Sequence, residues 1–362
     1  SEVSIDVVGC VALFACRAGG RPVVTRRPRA DRDRRRLSGA IAMVGLMMHD
    51  AVAQVSDAPG RGAGDGAGPA SGPRASREAA SGTPRAAPLT RAIPSSGEAI
   101  PVVGLGTWIT FNVGNDPQAR DACAAVMQAF FDAGGRVVDS SPMYGSSQPT
   151  TGHGLQRAGP AARVFAADKV WTSSGPRGAE QIEASRRFWG VPRFDLLQVH
   201  NLLNWQEHLP MLLAMKAAGK LRYVGITTSE SRRHADIERI MRSQPIDFVQ
   251  FSYNPLDRDV EARLLPLAQE RRIAVLVNRP FREGALIRQV ERHPLPRWAG
   301  TELGCDNWAA LLLKFVIAHP AVTCVIPATT RVDHVRQNVA AATGAMPDEA
   351  LRARIAAHVA AL

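Results

Sequence analysis

Eight short apolar runs, interleaved with segments of helical periodicity, occupy about the last three quarters of this 362-residue chain. The runs fall at 102–106, 136–139, 164–169, 196–200, 221–227, 248–252, 273–278 and 322–326. Amphipathic segments at 118–134, 178–189, 206–218, 231–243, 259–270, 306–319, 331–342 and 347–361 predict the helices. Near-continuous apolar strands joined through helices belong to parallel sheets covered on both faces. Eight such units over about 270 residues predict an α/β fold of the (β/α)8 TIM-barrel type. The rival, a doubly wound sheet, calls for Gly-x-Gly-x-x-Gly between the first strand and its helix. Here Gly104-Leu105-Gly106 runs into Thr107-Trp108 and a long loop, with no third glycine in register. Ahead of the first strand, Ile93-Pro94-Ser95-Ser96-Gly97-Glu98-Ala99-Ile100-Pro101 predicts an N-terminal hairpin turning at Ser96-Gly97.

The barrel occupies 91–362, and two segments of different character precede it. In 1–53, a block ending Arg34-Arg35-Arg36-Leu37 is followed by a weakly apolar run that closes on Ala51-Val52-Ala53. That layout resembles a twin-arginine export signal with a small-x-small cleavage site, and the run is too short to span a membrane. The expectations that follow are recognition by export machinery, a periplasmic or exported mature protein, and no membrane span once the signal is removed. The location would be cytoplasmic if the leader is an artefact of the assigned start. Residues 54–90, rich in Gly, Ala, Pro and Ser, are expected to be a disordered linker, because they cannot bury enough apolar surface to offset the entropy of ordering.

The net charge of +11 raises nucleic acid as a partner, but roughly half of the excess lies in the arginine-rich front and no basic stripe interleaves with aromatics afterwards. Nucleic-acid binding is therefore not expected. The cysteines Cys10, Cys16, Cys123, Cys305 and Cys324 have no metal-ligand spacing, so neither a metal site nor a disulfide scaffold is expected.

Barrel active sites gather at the carboxyl ends of the strands. Asp139 ends the second run, Tyr144 lies in the loop beyond it, Lys169 ends the third and His200 ends the fourth. Each alone has an ordinary reading: a turn-capping Asp, a loop aromatic, a snorkelling Lys, a core His. Together they suit reduction of a carbonyl, which needs a proton at oxygen as well as a hydride at carbon. A phenol with a pKa of about 10 is a weak acid. Lys169 as a neighbouring ammonium is expected to lower that pKa, Asp139 to hold the ammonium, and His200 to hydrogen-bond the substrate oxygen. Only Lys169, Lys216, Lys220 and Lys314 are lysines, so one inside an apolar strand stands out.

The segments Gly-Leu-Gly-Thr-Trp (104–108), Val-Val-Asp-Ser-Ser-Pro-Met-Tyr-Gly-Ser-Ser (137–147), Asp-Lys-Val-Trp-Thr (168–172) and Asp-Leu-Leu-Gln-Val-His-Asn (195–201) resemble the aldo-keto reductase family. So do Gly-Lys-Leu-Arg-Tyr-Val-Gly-Ile-Thr (219–227), Asp-Phe-Val-Gln-Phe-Ser-Tyr (247–253) and Val-Ile-Pro-Ala-Thr-Thr (325–330), and the likeness runs from about 93 to 362. With the export-like leader, the chain is similar to the secreted bacterial branch. The resemblance implies an NADP-dependent oxidoreductase, with NAD not excluded, acting on a small-molecule aldehyde or ketone through a tetrad of Asp139, Tyr144, Lys169 and His200. It implies Gly106, Thr107 and Trp108 beside the nicotinamide, Thr227 and Gln250 at the carboxamide, and Thr329, Thr330, Arg331 and Asn338 at the adenosine end. Asn278, Arg279 and Phe281 stand where the family usually has a Tyr-Ser-Pro-Leu segment under the nicotinamide. Ala328 replaces a lysine often used for the 2′-phosphate, with Arg331 as the compensating cation; Thr227-Thr228 replaces a Ser-Asn pair, and Gln148 a common Glu. These changes motivate the alternative function, a dinucleotide-binding sensor or interaction module with little turnover.

Overall fold

The computed structural model describes residues 87–159 and 163–362. The leader (1–53) and most of the linker (54–90) lie outside the described residues. An antiparallel hairpin, β1 (Thr90–Ala92) and β2 (Ala99–Pro101), comes first. Eight parallel strands follow: β3 (Leu105–Gly106), β4 (Val137–Asp139), β5 (Phe165–Val170), β6 (Leu196–His200), β7 (Tyr223–Thr227), β8 (Phe248–Ser252), β9 (Ala274–Asn278) and β10 (Cys324–Val325). They pair in chain order, and parallel bridges Val103–Val325 and Gly106–Ala328 join the first strand to the last. The barrel is closed. Gly106 makes that closure possible, since a Cβ there would meet the Ile326 carbonyl at 2.8 Å.

Alternation along the strands sorts two cores. Val138, Ala166, Leu197, Val224 and Val249 face the helices. Val137, Phe165, Leu196, Tyr223 and Phe248 pack with Ile93 and Ile100 inside the barrel. The hairpin thus plugs the amino-terminal end, held by Ser96 Oγ against Tyr223 Oη at 2.8 Å, by Tyr223 Oη donating to Glu98 at 2.8 Å, and by an Arg222–Glu98 ion pair. Two or four residues further along these strands the inward side chains turn polar: Asp139, Lys169, Gln198, Thr227 and Gln250. An apolar base and a polar top are written into the strands themselves.

Capping residues start several predicted helices. Asp116 accepts from Gln118 N and Ala119 N ahead of Pro117–Asp132, Asn307 from Ala310 N, and Asp348 from Leu351 N. Other elements depart from the sequence reading. The first and last strands are shorter than 102–106 and 322–326, while Thr90, inside the stretch assigned to the linker, already pairs in the hairpin. The segment 259–270 is a short 3₁₀ turn followed by Leu264–Glu270, broken at Arg263 (φ −139°). Helices Ser147–Ala158, Ala285–Val290 and Arg297–Leu303 were not expected. Ser147–Ala158 contains Pro149, Gly152, Gly154 and two threonines, which mask it on propensity. The glycines are there for packing: a Cβ at Gly152 would sit 1.9 Å from the Phe188 carbonyl, and one at Gly154 2.2 Å from Met127 Sδ.

Among the described residues no helix is long and apolar enough to cross a membrane, and no cluster of three or more His, Cys, Asp or Glu could hold a metal ion. Cys123, Cys305 and Cys324 are buried free thiols.

Candidate active site

Asp139, at the carboxyl end of β4, is buried and receives three donors. Lys169 Nζ reaches Oδ1 at 2.5 Å, while Gln250 Nε2 (3.1 Å) and Gln198 Nε2 (3.3 Å) reach Oδ2. Lys169 is fully buried and also donates to the Ser140 carbonyl at 2.7 Å. Its ammonium stands 5.2 Å from the centroid of the Tyr144 ring, and that ring meets the His200 imidazole edge to face at 5.6 Å. The register explains the convergence: Gly106 pairs with Asp139, Lys169 with Gln198, and His200 with Thr227, which pairs in turn with Gln250. Tyr144 is presented by the loop after β4. Gly145 there takes φ 58°, and a Cβ on it would meet Asn112 Oδ1 at 2.3 Å. Asn112 Oδ1 accepts from Ser146 N at 2.9 Å, so the loop after β3 clamps the loop after β4.

Burial dominates the electrostatics. Desolvation works to discharge Lys169, but Asp139, Tyr144 and Asp168 outweigh it and its pKa is raised. The Tyr144 pKa is also raised, first by burial, with Lys169 pulling the other way. This corrects the expectation of a lowered phenol pKa: the ammonium is in place, but withdrawal from water is the larger effect. Tyr144 is therefore held as the protonated phenol, which is the form an acid needs. Burial, then the charge on Lys169, lowers the His200 pKa well below its ordinary value, so the imidazole is neutral. Its Nδ1 lies 2.7 Å from Ser141 Oγ.

A cavity of about 320 Å³ opens over these groups. Gly106, Thr107, Trp108, Asp139, Tyr144, His200, Thr227, Gln250, Asn278, Arg279 and Phe281 border it, together with Ile109, Met143 and Ala328. Lys169 lies beneath the lining. Thr107 is fully buried, and its N and Oγ1 both donate to the Asp139 carbonyl (3.1 and 3.0 Å), so its side chain ties β3 to β4. Asn278 supplies a polar floor: Ser252 Oγ donates to its Oδ1 at 2.7 Å, and its Nδ2 donates to the Thr228 carbonyl at 3.2 Å and to Gln250 Oε1 at 3.4 Å. Thr227 Oγ1 donates to the same Gln250 oxygen at 3.0 Å. The Arg279 guanidinium sits 5.8 Å from the Trp108 ring centroid and pairs with Glu283 at 2.8 Å.

Thr329, Thr330, Arg331 and Asn338 do not border this cavity; they lie just beyond Ala328, on the loop and helix (Val332–Ala340) after β10. Thr329 and Asn338 are buried, and Thr330 and Arg331 exposed. The helix start has no side-chain cap, leaving N–H groups suited to an anion. Arg331 is engaged by Asp333, with Nε at 3.0 Å and Nη2 at 2.5 Å.

The sequence reading passed over Gln198, Ser141 and Asn201. Gln198 precedes His200 by two, on the same strand face, and that period was the available signal. Ser141 carried no signal of its own, because its partner His200 lies 59 residues away. Asn201 takes φ 52° and borders the cavity with its Oδ1 buried and without a partner among the described residues. A free acceptor at the wall, a hydrogen-bonded amide floor and an uncapped helix start fit the amide and phosphates of a nicotinamide dinucleotide.

Comparison with known proteins gives the family. The sequence model of the Aldo/keto reductase family matches residues 102–358. The methylglyoxal reductase YeaE of Escherichia coli is 26% identical, over 67% of this chain and 85% of its own. The NADH-specific methylglyoxal reductase of the same organism is 24% identical, over 66% of this chain and 89% of its own. A crystal structure of an aldo/keto reductase from Klebsiella pneumoniae in complex with NADP and acetate superposes with a TM-score of 0.61 at 26% identity, covering 72% of this chain and 91% of that one.

Proposed function

The chain belongs to the aldo/keto reductase family and is an oxidoreductase, and from that premise we propose that it reduces a small aldehyde or ketone with NADPH, using Tyr144 as the acid. The observation that carries this reading is the protonated Tyr144 standing between neutral His200 and the Lys169–Asp139 pair at the cavity wall. Gln250, Thr227, Asn201 and Asn278 would hold the nicotinamide end, and Thr329, Thr330, Arg331 and Asn338 the adenosine end. The dinucleotide, when bound, supplies the hydride to the carbonyl carbon.

The residues of this chain supply the rest. His200 donates a hydrogen bond to the carbonyl oxygen and sets its approach. Tyr144 gives its proton to that oxygen as negative charge develops there. The phenolate left behind faces the Lys169 ammonium, which Asp139 keeps charged in a place that water does not reach. Exposed Ile109 and Met143, with Trp108 and Phe281, give the entrance an apolar rim suited to the body of a carbonyl compound.

The test is turnover of NADPH or NADH with a panel that includes methylglyoxal, aromatic aldehydes, ketones and quinones. Tyr144→Phe should lower kcat by about 10²-fold or more while nucleotide still binds. Equal turnover by Tyr144→Phe and parent defeats the assignment. Tight nucleotide binding without turnover of any carbonyl favours the sensor reading instead. We propose also, on the arginine block and the Ala51-Val52-Ala53 pattern alone, that the protein is exported; cell fractionation with the Arg35 and Arg36 codons changed to lysine tests it.

A further inference from the structure

Ser141 is fully buried in the loop after β4, and its hydroxyl joins two groups. The Met143 N–H donates to Oγ at 3.2 Å, and His200 Nδ1 lies 2.7 Å from the same oxygen. An amide N–H can only donate, so one lone pair of Oγ is taken. The hydroxyl proton then needs an acceptor, and among the described residues His200 Nδ1 is the one within reach. Were Nδ1 protonated, Oγ would receive two N–H groups and its own proton would be stranded in a buried position, an arrangement folded proteins avoid. The imidazole is neutral, so one ring nitrogen carries the single proton. Nε2 has no hydrogen-bond partner among the described residues, and the ring borders the cavity.

We propose that Ser141 is a positioning residue: by donating to Nδ1 it fixes His200 as the tautomer with its proton on Nε2, so that the ring presents a donor to the carbonyl oxygen. Without that hydroxyl the ring can take the other tautomer, which offers the substrate oxygen a lone pair and repels it. The inference rests on the proposed carbonyl reduction for its purpose, but not for its geometry.

The experiment is ¹⁵N NMR of the full chain labelled in histidine, with the His200 signals identified by their loss in His200→Gln. In the parent, Nδ1 should resonate as an unprotonated nitrogen and Nε2 as a protonated one. In Ser141→Ala the two signals should move toward a tautomer mixture, with kcat falling about 10-fold or more and nucleotide affinity unchanged. Ser141→Thr, which keeps the hydroxyl, should restore the parent spectrum. A protonated Nδ1 in the parent overturns the proposal, as does a parent-like tautomer in Ser141→Ala; if a variant fails to fold, the parent spectrum decides alone. A chain that reduces no carbonyl yet shows this tautomer defeats the proposed function and leaves the Ser141–His200 relationship standing.

Discussion

Gln148 donates to the buried Asp168 carboxylate across 2.8 Å, on the outer face of the strand whose inner face carries Lys169. The other oxygen of Asp168 accepts from Lys169 N at 2.7 Å, and Gln148 also reaches Ser185 Oγ at 2.8 Å. One side chain thus ties β5 to the helices on both sides of it, behind Lys169.

That carboxyl carries a pH signature. Burial raises its pKa from 3.8 to about 7, against the pull of Lys169 and Gln148. The folded chain therefore holds this proton more tightly than the unfolded chain. The stability it contributes is full below about pH 4 and is lost as pH rises through about 7. Asp168→Asn should flatten stability against pH between those values, measured by denaturant unfolding at several pH values. An unchanged slope counts against a protonated Asp168. Gln148→Glu, which sets a second carboxyl beside the first, should destabilise more at pH 8 than at pH 6.

The Lys169–Asp139 pair predicts an asymmetry. Asp139→Asn leaves a fully buried ammonium facing the Ser140 carbonyl, whereas Lys169→Met leaves a carboxylate still receiving Gln198 and Gln250. Breaking a buried pair costs about 3–5 kcal/mol, and Asp139→Asn should lie at the high end of that range. The double variant should regain much of the stability and none of the activity. Denaturation midpoints for the three chains, with similar values of m, are the measurement.

Nucleotide preference should respond to Asp333. Arg331 is the cation at the start of the helix after β10, and Asp333 occupies it in an exposed pair. Exposed pairs are weak, because solvent screens them. Asp333→Ala should therefore improve the preference for NADPH over NADH only modestly, read as the ratio of the two dissociation constants. Ala328→Lys should move the ratio in the same direction, and no change in either variant would place the 2′-phosphate elsewhere.

Gly152→Ala tests the close approach of two helices. In an open helix the change stabilises by about 0.5–1 kcal/mol. Here the added Cβ would lie 1.9 Å from the Phe188 carbonyl, an overlap with backbone that no side-chain rotation relieves. Overpacking of this kind costs about 1–3 kcal/mol, so the thermal midpoint should fall; a rise would mean that the helices part freely.

The same glycines show where the sequence is opaque. The strands were legible because two-sided burial makes them apolar and short, and the rim residues because their types sit at strand ends. The helix Ser147–Ala158 was not, since its Gly and Thr residues answer to a neighbouring helix that sequence does not display. Asp139 and Lys169 could be paired on chemistry alone. The direction of the Tyr144 shift could not, because it depends on how completely the loop withdraws the phenol from water. Arg331 was legible as a cation, but its engagement by Asp333 depends on a loop conformation.

Among the described residues, the hairpin that carries Ile93 and Ile100 into the barrel fills its amino-terminal end, and the cavity opens at the other. Two guests that must meet inside cannot come from opposite sides. On the proposed function, a nucleotide held by Gln250 and Asn278 would enter before a carbonyl lying against Trp108 and Met143, and would leave after it. That order predicts product inhibition that is competitive between the two nucleotide forms and of mixed type between nucleotide and carbonyl, which steady-state kinetics would read.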